Sequence, residues 1–300
     1  MTDYRAVFDA EITFRNGGGL QVQGFRLDLP TDQLDDAELG RLLIEHLGLL
    51  MVDTVTLHGV QVVEEQHKGS RGVETTTARG AIIDLSHPIT AGMVTYPGLP
   101  GPEIVPHLTR QASRERYAPG TEFAIDRISM LGNTGTYLDS PFHRYEGGTD
   151  LAGLPLDSVA DVPTLLLRAT DAGRSIDTAL LAGLGADARG HAILLHTGGD
   201  AHWGTPAYAQ DAPYLTEDGA KYLVDAGAVL VGIDCVNIDR IDAGGARPAH
   251  STLLAAQIPV LEHLTNLDRV PVRGARLHAA PPPVHDFGTF PVRAYVVVPG

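Results

Sequence analysis

Gly132-Asn133-Thr134-Gly135-Thr136-Tyr137-Leu138-Asp139-Ser140-Pro141-Phe142-His143 is the stretch from which the rest of the chain is best read. Side chains of an extended segment alternate, so Tyr137, Asp139, Pro141 and His143 share one face. Pro141 cannot donate to a ladder and therefore ends a strand just where His143 emerges. On a straight strand a carboxylate and an imidazole at this spacing stand ~13 Å apart. A bend at Pro141 draws them toward a common centre.

Outward from this stretch lie short apolar runs: Ala81–Leu85 (AIIDL), Thr164–Ala169 (TLLLRA), His191–Thr197 (HAILLHT), Ala228–Asp234 (AVLVGID) and Arg293–Val298 (RAYVVV). Gly, Pro and Asp turns separate them. Helical patterns are fewer, near Asp177–Leu184, Glu217–Ala226 and Ser251–Leu264. This texture predicts a mixed α/β domain on a curved or barrel-like sheet with surrounding helices. A doubly wound parallel sheet would need helices alternating regularly with strands.

Upstream, residues 1–72 read as a small ββαβ module. Val7, Phe8, Ala10, Ile12 and Phe14 follow a strand pattern, Gly17–Gly19 supplies a turn, and Leu20–Leu29 reads as the returning strand. Asp35 with Glu38 forms a capping box before a stripe of Leu39, Leu42, Leu43, His46 and Leu47. Leu49–Val63 adds one or two strands, bent near Gly59. The module shows no chemistry and reads as a packing or oligomerisation appendage. The polar run Gln66–Arg79 reads as a linker, placed at 73–80 with the main domain at 81–300.

The bulk numbers restrict function. The chain has 300 residues, 43% hydrophobic and 20% charged, with a formal net charge of −15. It is too apolar for disorder and too acidic to favour a nucleic-acid backbone or an anionic membrane. The single cysteine, Cys235, precludes an internal disulfide and thiolate clusters and reads as a core residue. No signal-peptide pattern or membrane-length apolar stretch is present, which predicts a cytoplasmic protein. Gly17–Gly19 matches no nucleotide-binding fingerprint, so no nucleotide cofactor is expected. His87 follows Ser86 without a Gly-x-Ser-x-Gly elbow, which argues against a Ser–His hydrolase. His202-Trp203 is a candidate for the pocket wall.

Further downstream, Asp234 and Asp239 follow an apolar strand and read as turn-fixing residues. His250 precedes a helix-like run, and Glu262 follows Pro259, which suits the first turn of a second helix. On that helix His263 would face away from Glu262. Asp139, His143, His250 and Glu262 together offer two carboxylates and two imidazoles, a set able to bind a divalent metal and polarise a carbonyl or water.

The order of these residues resembles the cyclase family, which includes kynurenine formamidase and isatin hydrolase. The family signature, His-x-Gly-Thr-His-x-Asp-x-Pro-x-His, corresponds to residues 133–143. The resemblance takes in Asp84-Leu85-Ser86, Tyr96-Pro97-Gly98, Leu195-His196-Thr197-Gly198, Gly232-Ile233-Asp234, His250, Glu262 and Thr289–Ala294, about residues 81–298. It implies Asp139, His250 and Glu262 as metal ligands, His143 as acid/base and Tyr96 as a ring against the substrate; apart from the resemblance, Tyr96 and Phe142 suggest an apolar or aromatic wall to the pocket. The resemblance also implies a homodimer or larger assembly.

Two ligand positions of the signature are degenerate, carrying Asn133 and Tyr137 in place of histidine. An amide oxygen is a poor zinc donor, and a phenol must first lose a proton with an ordinary pKa near 10. Two centres therefore stay open. One holds a single divalent ion, zinc or manganese, and hydrolyses the carbon–nitrogen bond of a small cyclic or aryl amide. The other holds none, with His143 and Tyr137 doing acid/base work in a cyclase, dehydratase or isomerase. An inactive binding homologue is the third reading.

Overall fold

The computed structural model describes residues 2–29, 31, 33–66, 80–184 and 188–299. The expected linker at 73–80 lies outside these residues, apart from Gly80. The chain divides into two units, Met1–Ala78 and Arg79–Gly300.

In the first unit, β1 (Thr2–Phe14), β2 (Gly19–Leu29) and β3 (Val52–Gln66) form an antiparallel sheet in the order β2-β1-β3. Helix α1 (Asp36–Leu47) is opened by the predicted capping box. The Asp35 side chain accepts from the Glu38 N–H at 2.7 Å, and Glu38 accepts in return from the Asp35 N–H. Gly59 bends a single continuous strand, not two. It has φ +63°, at a register shift where β3 gains a residue on β1. Ala6, Phe8, Ala10 and Ile12 meet Leu39 and Leu43 in a core of their own.

The second unit runs through β4 (Ala81–Asp84), β5 (Glu103–Leu108), α2 (Arg110–Ser113), β6 (Ile125–Ser129), β7 (Tyr137–Asp139), β8 (Val162–Arg168) and β9 (Ser175–Ile176). It continues through α3 (Thr178–Ala182), β10 (Ala192–His196), β11 (Tyr214–Leu215), α4 (Glu217–Asp225), β12 (Leu230–Ile233) and α5 (Pro248–Ala255). The last strands are β13 (Val260–Glu262), β14 (Arg273–His278), β15 (Thr289–Pro291) and β16 (Tyr295–Val298). Among the described residues nine of these strands make one curled half-barrel sheet, in the order β15-β7-β13-β12-β10-β8-β14-β16-β4. Its centre, β13-β12-β10-β8, is parallel; β7 and β15 flank it antiparallel on one side, β14, β16 and β4 on the other. This is the mixed α/β, barrel-like architecture the run of short apolar strands predicts.

Alternation along each central strand feeds two cores. Ile193 and Leu195 of β10 join Val231, Ile233, Leu181, Leu223 and Leu253 beneath the helices. Ala192 and Leu194 join Leu166, Leu230, Leu138 and Leu261 on the opposite face. A sheet covered on both faces needs near-continuous apolar strands, which is why LLL and AILL runs occur here. One expectation is corrected. Ser251–Leu264 is not helical throughout: α5 spans Pro248–Ala255, and Glu262 stands on β13, not on a second helix.

Candidate active site

The site is built around β7, held between two antiparallel partners. Tyr137 lies opposite Glu262 on β13 and Pro291 on β15; Asp139 lies opposite Val260 and Thr289. Directly opposed side chains share a face at close range. The Tyr137 hydroxyl accordingly donates to Glu262 Oε2 at 2.6 Å, and the Thr289 hydroxyl donates to Asp139 Oδ1. After Asp139 the strand stops, and Pro141–His143 forms a 3-10 turn. That turn closes the gap left by a straight strand: His143 Nδ1 stands 3.7 Å from Asp139 Oδ1 and 2.7 Å from Thr289 Oγ1.

His250 arrives from α5. The Asp239 carboxylate accepts from the Ala249 and His250 backbone N–H groups at 2.7 and 3.0 Å, and lies 2.7 Å from His250 Nδ1. Asp239 thus fixes both the start of the helix and the imidazole, with Nδ1–H as donor and Nε2 turned inward. Nε2 stands 3.5 Å from Asp139 Oδ2 and 3.4 Å from Glu262 Oε1. Glu262 Oε1 also accepts from the Ile238 N–H at 2.6 Å.

Two carboxylates with 1% and 0% exposure, so close together, require positive compensation. Burial, helped by the charge of Asp139, pushes Glu262 up to about 7 against the opposing pull of His250. Burial alone would lower His250, but Glu262, Asp139 and Asp239 outweigh it and raise it to about 10. Burial likewise works to raise Asp139, yet contacts with His250, His143 and Thr289 hold it below the usual carboxylate value. Tyr137 is driven well above the usual phenol value by burial and then by the charges of Glu262 and Asp139. Its hydroxyl is the donor to Glu262.

Compensation comes from a proton on His250 or from a metal ion, and the geometry fits the ion. Asp139 Oδ2 is buried without a hydrogen-bond partner. The 3.4 and 3.5 Å separations from His250 Nε2 are long for charge-assisted hydrogen bonds, ordinarily about 2.7–2.9 Å. They match the ~3.4 Å edge of a tetrahedron whose centre lies about 2.1 Å from each ligand. Asp139, His250 and Glu262 place one ligand atom each within 4.8 Å of the others, making a possible three-residue metal site.

A cavity of about 320 Å³ opens onto this cluster. Tyr137, Asp139, Asn237, His250 and Glu262 form its buried end; Tyr96, Leu99, Asn133, His143, Arg144 and Arg247 form the more open part. Of the residues expected from sequence, Phe142 and the His202-Trp203 pair are not in this lining. Trp203 instead stacks on His87 at 4.0 Å and packs edge-on against Tyr208 and His263. His263 does not sit on a helix: it has φ +58°, its ring lies 5.0 Å from that of Tyr137, and Tyr208 bonds its Nδ1 at 2.8 Å. Burial lowers His263 to about 3, so it is a neutral wall behind Tyr137. Asp234 fixes a turn as expected, accepting from Thr197 N–H and Gly198 N–H at 2.7 and 2.9 Å. Thr289 and Asp239 have site roles that sequence reading does not assign.

A family model described as "Putative cyclase" matches residues 83–240, just over half of the chain. The chain belongs to the cyclase family. Its relatives in that family include the kynurenine formamidase of Paracidovorax citrulli (strain AAC00-1), 29% identical over 72% of this chain and 96% of the relative. The kynurenine formamidase of Bacillus cereus (strain ATCC 14579) is 26% identical over 71% and 96%. Among solved structures, an isatin hydrolase bound to the product analogue thioisatinate superposes with a TM-score of 0.64 at 23% identity, over 74% of this chain and 94% of that one. A potential metal-dependent hydrolase with cyclase activity gives a TM-score of 0.59 at 28% identity, over 72% and 96%. The first unit lies upstream of the family match.

Proposed function

We propose that this cyclase-family chain is an amide hydrolase, cleaving a carbon–nitrogen bond of a small cyclic or aryl amide. Asp139, His250 and Glu262 would hold one divalent ion, zinc or manganese. The observation that carries this reading is the orphaned, buried Asp139 Oδ2 beside His250 Nε2, which stands at coordination spacing from both Asp139 Oδ2 and Glu262 Oε1. One imidazole nitrogen and two carboxylate oxygens suit either ion. When bound, such an ion polarises a carbonyl oxygen or lowers the pKa of a water. The names of the kynurenine formamidase relatives point the same way.

The chain's own residues supply the proton transfers. Thr289 has one hydroxyl proton, and Asp139, held ionised, receives it. The Thr289 oxygen must then accept from His143 Nδ1–H. That assignment fixes the neutral tautomer of His143 and leaves Nε2 as the free base nitrogen at the cavity. Nε2 takes a proton from the attacking water as the C–O bond forms, then returns it to the amine nitrogen as the C–N bond breaks. Tyr137 keeps Glu262 in place through its hydroxyl, and Tyr96 offers a ring to the substrate.

Elemental analysis joined to a turnover screen on N-formyl aryl amines and isatin-like lactams tests this. The expected result is about one equivalent of zinc or manganese, with hydrolysis lost on chelation and restored by the ion. Hydrolysis that survives chelation, at under about a tenth of an equivalent of metal, would remove the ion from the mechanism; a metal-poor protein that hydrolyses neither class would instead favour a metal-independent cyclase, dehydratase or isomerase. The committed phenol of Tyr137 and the neutral amide of Asn133 are what favour that second reading. A cytoplasmic, homo-oligomeric enzyme completes the proposal; the buried thiol of Cys235 accords with a reducing compartment. A monomer mass by light scattering would remove the oligomer.

A further inference from the structure

We propose that the substrate carries a carboxylate, received by Arg247 with Arg144 at the open part of the Asp139 cavity. This rests on the amide-hydrolase reading and narrows its substrate class.

The chain carries a net charge of −15, and the buried end of the cavity holds two carboxylates. Such a field turns anions away unless local cations reverse it. Two arginines, Arg144 and Arg247, line the same cavity. Neither has a carboxylate of the described residues within ion-pair distance; that is also true of Arg168 and Arg273, which bond to backbone carbonyls instead, and what sets Arg144 and Arg247 apart is their place at the cavity.

Both heads are held in place by other means. Arg247 is half-buried and immediately precedes α5, three residues before His250. One of its amino groups donates to the Ala246 carbonyl at 2.9 Å, and the other lies 3.3 Å from the Tyr96 hydroxyl. Arg144 follows His143 directly. Its guanidinium lies over the Tyr145 ring at 5.2 Å, and its Nε reaches Ser251 Oγ at 3.4 Å. Tyr145 is itself tied to α5, donating to the Ser251 carbonyl at 2.9 Å. Each arginine is therefore positioned by neutral groups while keeping N–H donors to spare.

A planar carboxylate matches the donor edge of a guanidinium, with two parallel N–H donors meeting its two oxygens. A substrate spanning the cavity would set its amide at His143, Asp139 and Glu262 and its carboxylate at the arginines. That keeps its negative charge away from the two buried acids.

The three positional isomers of (formylamino)benzoate and their methyl esters provide the test. With the metal-loaded enzyme, at least one acid should exceed its ester in kcat/KM by about tenfold or more, the scale of one charge-assisted contact. Arg247→Gln should collapse that acid-to-ester ratio toward one, chiefly through KM. Arg247→Lys, which keeps the charge but not the fork, should restore it in part. No acid preferred over its ester, or equal losses on acid and ester in Arg247→Gln, would overturn the proposal. If no isomer is turned over, the amide-hydrolase reading is judged separately by the wider screen that includes lactams, and calorimetric binding of the same six compounds still decides the carboxylate site. Acids bound more tightly than esters, dependent on Arg247, uphold the carboxylate site; equal or absent binding removes it.

Discussion

At the scale of single residues, the tautomer of His143 depends on one hydroxyl group 146 positions away in sequence. Replacing Thr289 by Val removes that acceptor and leaves neutral His143 free to place its proton on the nitrogen that should act as base. With metal supplied in excess, because the same hydroxyl also donates to Asp139, we expect kcat to fall about ten- to a hundredfold, the usual cost of losing a group that orients another, with KM kept. Thr289→Ser should restore kcat; a Val variant at full kcat would remove Thr289 from the mechanism. The degenerate positions invite the opposite experiment. Changing Asn133 and Tyr137 together to His supplies two imidazoles at positions where the cyclase signature carries them. Affinity for zinc, measured by chelator competition, should rise by on the order of tenfold or more. Unchanged affinity would show that these positions do not face the ion. Asp139 and His143 could be read from sequence because their relation is local, a strand face broken by Pro141. Thr289 and Asp239 could not, because a threonine or aspartate shows nothing in sequence of the partner it will meet.

At the scale of elements, the site depends on a three-residue strand and the turn after it being clamped from both sides. Ser140 N–H donates to the Gly288 carbonyl at 2.7 Å, and Phe142 N–H to the Thr149 carbonyl at 3.1 Å. A Cβ at Gly288 would lie 2.5 Å from the backbone of His143, so only glycine permits this approach. Gly288→Ala must push the turn away from β15 and with it the His143–Thr289 contact. The expected outcome is a loss of about 1–3 kcal/mol by denaturant titration, together with a lower kcat. A variant of normal stability and activity would show that the turn has room to yield. The same paired strands explain where sequence reading failed. Pro259-Val260-Leu261-Glu262-His263 has no alternation to mark a strand, and its Pro, Leu and Glu suit the start of a helix. Its strand state comes from pairing with β7 and β12, partners remote in sequence, and tertiary pairing overrides local preference. The capping box of α1, by contrast, was readable because all its atoms lie within four consecutive residues.

At the scale of the whole molecule, every residue assigned a role here lies between Tyr96 and Thr289, within the second unit. The first unit closes its own core with Phe8, Ile12 and Leu43, which are almost wholly buried, and the second is filled by two large cores and a smaller one of its own. Separate cores are what allow parts of a chain to fold independently. A chain reduced to residues 79–300 is therefore expected to fold, to take up the same equivalent of metal, and to keep kcat/KM within about threefold, a change of under 1 kcal/mol. Measuring mass by light scattering beside activity separates two ways in which the expectation can break. Loss of activity together with a smaller assembly would make the first unit an oligomerisation element on which the site depends. Loss of activity with the assembly intact would mean that the first unit contributes directly to the chemistry, and the confinement of the mechanism to the second unit would be wrong.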